Sequence, residues 1–129
     1  MGTEVKRKYP PLDELKEIWE RLSSIEKASF GESSLSLGSR AYTASEVMSL
    51  RTLEGILRRV YNVEETLGKL IERMEKDDRL SDLKGVVSYF KDVRNRIAHP
   101  EKLSSKLDAE STFQMTKRLA IEIMKRIGV

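Results

Sequence analysis

The sequence predicts an all-α fold, a four- to five-helix up-and-down bundle, on three observations. Apolar residues recur at steps of three and four along most of the chain, no segment alternates with period two, and no turn carries the Asn-Gly or Asp-Gly pairs that close hairpins. At 129 residues the chain reads as one domain, 1–129, long enough to bury roughly two-thirds of its unfolded surface. With no cysteine, it needs no disulfide staples and offers neither a thiolate nucleophile nor a Cys-ligated zinc site.

The elements follow in order. Residues 1–11 read as a flexible N-terminus. Pro10 and Pro11 precede Leu12, Leu15, Ile18, Trp19, Leu22 and Ile25, so a first amphipathic helix is expected over about 12–28. The stretch FGESSLSLGSRAY, residues 30–42, is rich in Gly and Ser and predicts a flexible loop. Thr43 with Glu46 three residues on is a capping-box pattern, followed by Val47, Leu50, Leu53, Leu57, Val60 and Tyr61 at helical spacing. Asn62 with Glu65 repeats that pattern, so either a third helix starts there or one long helix bends, with Val63, Leu67, Leu70, Ile71 and Met74 as the buried stripe. EKDDRLSD, residues 75–82, breaks the periodicity. Ser81 is then expected to cap a helix carrying Val86, Val87, Phe90, Val93 and Ile97, which must stop near His99 because the residue before Pro100 is pushed out of the α region. Phe113, Leu119, Ala120, Ile123, Met124 and Ile127 predict a last helix, capped by Asp108 or Ser111.

Charge adds a direction. Charged residues form 35% of the chain, against about 25% in ordinary domains, while Asn and Gln together number three, a thermophile-like composition. The net charge of +3 is unevenly placed: residues 84–106 hold six Lys or Arg against two acidic residues, and the rest of the chain is slightly acidic. Basic excess gathered in one stretch suits contact with phosphate. The N-terminal MGTEVKRKYPPL lacks the apolar core of a secretory leader, and no run approaches the ~18 apolar residues of a membrane span. A cytoplasmic protein without membrane association is expected.

Most enzyme templates fail. There is no Walker loop, no GxGxxG and no HExxH, and a single histidine without cysteine builds no ordinary zinc site, so neither metal nor cofactor is expected. One reaction suits such sparse equipment. RNA cleavage can use the substrate's own 2′-hydroxyl as nucleophile, leaving the protein to move protons and to place a cation near the phosphate. His99, the only histidine, could do the first task and Arg94 the second. Five helical steps separate them by about 140° around the axis, so convergence requires the chain to leave the helix before His99. The competing reading is that His99 caps the helix C-terminus and Arg94 pairs with a surface carboxylate.

The string RNRIAHP, with Arg94, Asn95 and His99, resembles the R-x4-6-H signature of the HEPN superfamily, small helical domains that include many metal-independent ribonucleases. SLRTLEGILRR and TLGKLIERMEK resemble helices of uncharacterised prokaryotic HEPN-like domains, so the likeness covers a core of about 44–127. The resemblance implies Arg94 and His99 as the catalytic pair with Asn95 orienting them, a homodimer that juxtaposes two such motifs in a cleft, and products ending in a 2′,3′-cyclic phosphate. It also admits a non-catalytic module that binds nucleotide, RNA or a partner protein, and a toxin-antitoxin or defence setting with an antitoxin as partner. From the charge distribution, Lys91, Arg96 and Lys102 are nominated as RNA phosphate contacts.

Overall fold

The computed structural model describes residues 9–99 and 101–128. Most of the expected flexible N-terminus, residues 1–8, lies outside them. Among the described residues there are five α-helices and no strand: α1 Ser24–Gly38, α2 Tyr42–Tyr61, α3 Leu67–Glu75, α4 Lys84–Ile97 and α5 Lys106–Arg126. The all-α bundle predicted from periodicity is what the chain forms. Three 3-10 segments, Asp13–Leu15, Trp19–Arg21 and Asp78–Leu83, complete it.

The core follows the helical stripes. Leu53, Ile56 and Leu57 of α2, Leu70, Ile71 and Met74 of α3, Val87 and Phe90 of α4, and Leu119, Ala120 and Ile123 of α5 are essentially inaccessible to solvent. No helix is long and apolar enough to cross a membrane among the described residues.

Several boundaries differ from expectation, each for a physical reason. The helix predicted over 12–28 is two 3-10 turns, which suit the same spacing because 3-10 geometry repeats every three residues. Leu15, Ile18, Trp19 and Leu22 are buried, but the chain becomes extended at Leu22 and a new helix begins, leaving Ile25 72% exposed. Ser23 and Glu26 form the capping box that starts it: Ser23 Oγ accepts from the Glu26 amide at 3.1 Å and Glu26 Oε1 from the Ser23 amide at 3.1 Å.

The expected loop at 30–42 is mostly the rest of α1, with only residues 39–41 connecting to α2. Small residues replace the large apolar stripe here. Ser33 Oγ lies 2.7 Å from Ser49 Oγ and donates to the Ser45 carbonyl at 2.8 Å, so a hydroxyl seam closes α1 on α2.

Capping was also placed differently. Thr43 lies inside α2, Asn62 is its left-handed C-cap at φ 52°, and α3 begins after Thr66. An asparagine side chain tolerates that conformation better than most. Ser81 falls within a 3-10 turn and α4 starts at Lys84. The last helix is capped by Ser105, with Asp108 reaching back to the Ser105 amide at 2.9 Å as its capping-box partner. That contact holds the Asp108 carboxyl below its ordinary pKa. α4 ends at Ile97, close to the stop that Pro100 imposes.

Candidate nucleic-acid interface

Two arginines one residue apart on α4 face opposite ways. Arg96 turns inward to Glu46 of α2, a fully buried carboxylate, and grips both of its oxygens at 2.8 Å. Thr112 of α5 and Ser104 also donate to Glu46, and Thr43 Oγ1 accepts from the Ser104 amide at 3.1 Å. Tyr89 Oη lies 2.9 Å from Thr112 Oγ1. The carboxylate raises the guanidinium pKa further and binds α2, α4, α5 and the segment before α5 into one junction. The nomination of Arg96 as a phosphate contact is therefore corrected: its fork is occupied by a buried carboxylate. The Thr43–Glu46 spacing that reads as a capping box in sequence instead supplies two members of this junction.

Arg94 turns toward α3 and stays open. Its side chain makes no ion pair or hydrogen bond with any described residue. The guanidinium lies so close to Gly68 that a Cβ there would sit 2.9 Å from Arg94 Cζ. Glycine at the second position of α3 is what lets the arginine rest on the first turn of that helix. Arg94 and Asn95 line a cavity of about 270 Å³ with Thr66, Gly68, Lys69, Ile71, Glu72, Glu75 and Lys91. Lys91 is loosely paired with Glu75 at 3.8 Å, both side chains being largely exposed.

His99 lies beyond the end of α4. Its amide donates to the Arg96 carbonyl at 3.1 Å, and its own carbonyl accepts from the Lys102 amide at 3.1 Å, which turns the chain tightly. The imidazole is 60% exposed, with Nδ1 3.6 Å from a Glu101 carboxylate oxygen. It does not line the cavity that holds Arg94 and Asn95. Lys102 is exposed on the same turn. Of the residues singled out by sequence, the structure thus brings Arg94, Asn95 and Lys91 to one groove, leaves His99 and Lys102 past the end of α4 and outside its lining, and commits Arg96 to the interior. Sequence reasoning missed Gly68 and Lys69. A glycine just inside a helix start, where its cost is otherwise unexplained, was the available signal for the first.

Among the described residues no group of three or more histidine, aspartate or glutamate side chains is arranged to hold a metal. Two of the three acids in the run at 77–82 are engaged by arginines instead: Asp77 accepts from Arg79, and Asp82 from Arg126. A scan against protein-family models, a search of curated proteins and a search of solved structures each return no match to this chain.

Proposed function

We propose that the chain is a HEPN-type, metal-independent endoribonuclease acting as a homodimer in the cytoplasm, with Arg94 and His99 as catalytic residues. The observation that carries this reading is the contrast within RNRIAHP: Arg96 is tied to a buried carboxylate, whereas Arg94 is held unpaired at a groove and His99 stands exposed at the helix end. An unpaired arginine held in place by packing is suited to a phosphate.

In the reaction, a neutral imidazole takes the proton of the ribose 2′-hydroxyl, whose oxygen attacks the adjacent phosphorus. Arg94 stabilises the charge that builds on the phosphoryl oxygens. The P–O5′ bond breaks, and an imidazolium returns a proton to the departing 5′-oxygen. The products are a 2′,3′-cyclic phosphate and a 5′-hydroxyl. One chain carries one imidazole, so His99 of a second copy serves as the other proton carrier. Asn95, exposed beside Arg94, orients the catalytic pair.

A second reading has its own observation. His99 does not line the groove that Arg94 and Asn95 share, which favours a module that binds RNA, nucleotide or a partner such as an antitoxin without cleaving. Incubation of purified protein with a labelled unstructured RNA in EDTA separates the two. Cyclic-phosphate products from the wild type, and none from His99→Ala, are expected for the nuclease. Equal cleavage by both proteins, or none by the wild type although it binds RNA as a dimer, would overturn it.

A further inference from the structure

The cavity beside Arg94 is one end of a longer groove. A second cavity of about 360 Å³, lined by Met74, Glu75, Leu80, Lys84, Val87, Ser88 and Lys91, shares Glu75 and Lys91 with the first. The two join along the α3/α4 seam. On α4 the polar residues Lys84, Ser88, Lys91 and Asn95 follow at steps of four, three and four, within about 60° of one another around the axis and over roughly 16 Å of helix. Arg94 and Lys69 flank the far end. Four cations thus meet two acids, Glu72 and Glu75, and among the cations only Lys91 has an ion-pair partner. Beneath them lie Met74, Leu80, Val87 and Ile71, all buried.

We infer that this groove is the track along which a single strand of RNA lies, its phosphates meeting Lys84, Lys91, Lys69 and Arg94 and its bases turned outward; the inference rests on the RNA-directed reading above and gives it a path. A row of separated cations, three of the four without an ion-pair partner, matches a chain that carries a charge at every unit. The contacts go to phosphate, which every nucleotide carries, so the strand is held with little sequence preference. Gly68 belongs to the track by letting Arg94 lie at its end instead of projecting into solvent.

The test measures anisotropy of a short labelled oligouridine RNA across a salt series, with the full chain carrying His99→Ala so that the strand stays intact. Lys69→Glu with Lys84→Glu should weaken binding about tenfold or more and flatten the salt slope by about 1.4, as expected when two phosphate contacts to a single strand are lost. The double alanine variant should show the same flattening with a smaller loss, and circular dichroism should show both folded. Arg118→Glu with Lys125→Glu, the same charge change on α5, should leave the affinity near that of the parent. Equal losses from the groove pair and the α5 pair would overturn the track, leaving only general attraction. Undiminished binding by the groove variants would overturn it while leaving the RNA reading in place, whereas no RNA binding by the parent would remove both. Groove-dependent capture of polyglutamate in place of RNA would also overturn it and assign the groove to a protein.

Discussion

The junction around Glu46 and the groove between α3 and α4 each receive an arginine from the same turn of α4, and they treat it in opposite ways. At the junction every polar atom is answered: Arg96, Ser104 and Thr112 all donate to one buried carboxylate. At the groove, Arg94 is packed against a glycine and answered by nothing within the described residues. Interior charge must be paired or the fold suffers, so a satisfied cluster is explained by stability alone. An exposed cation fixed by packing without a partner has no such explanation, and that asymmetry directs the functional reading to Arg94.

The contrast can be broken most severely at the junction. Arg96→Ala leaves the Glu46 carboxylate buried with only two hydroxyl donors, and a loss of about 3 kcal/mol is expected, at the lower end for buried pairs because Arg96 keeps some solvent contact. Thermal melting should register it as a drop of roughly 10 °C for a domain of this size. Thr112→Val removes one of those hydroxyls and the partner of Tyr89, and urea titration should show about 1–2 kcal/mol.

At the groove, Gly68→Ala should do the reverse. The new methyl displaces the flexible end of Arg94, so melting should move by no more than about 1 kcal/mol's worth, with alanine favouring the helix, while RNA affinity falls. Acid gives the smallest effect. Hydrogen bonds from Arg79, aided by the Tyr61 hydroxyl, hold the Asp77 carboxyl at about 2, below its usual value near 4, while burial and this partner push the Tyr61 hydroxyl up. A depressed carboxyl stabilises the fold above its unfolded pKa, and that contribution fades as pH falls from about 4 toward 2. Asp77→Asn should therefore melt somewhat lower than the wild type in the neutral region, where the ionised carboxyl contributes, and converge with it as pH falls toward 2, so that the acid limb flattens.

Much of this architecture was legible from periodicity, and the exceptions share a cause. The stripes of α2 through α5 use large apolar residues at helical spacing, so they announce themselves. α1 packs on α2 through Ser33, against Ser45 and Ser49, whose small side chains look like loop composition but allow close approach and satisfy one another's hydroxyls. The 3-10 turns at 13–21 carried the right buried residues with the wrong geometry, because steps of three and four do not separate 3-10 from α. At the site, the importance of Arg94 could be read from RNRIAHP, but its difference from Arg96 could not: the partner that claims Arg96 lies fifty residues away on α2. Gly68 shows in the sequence only as a glycine just inside a helix start; which side chain rests on it depends on how α4 packs against α3.

The most direct test of this division of labour compares Arg94→Ala and Arg96→Ala side by side for melting temperature and for RNA binding per folded molecule, at a temperature where both are folded. The account predicts that Arg94→Ala melts like the wild type and binds RNA several-fold more weakly, while Arg96→Ala melts far lower and binds RNA normally once folded. An Arg94→Ala protein that binds RNA as well as the wild type, or an Arg96→Ala protein that melts unchanged but fails to bind, would contradict it.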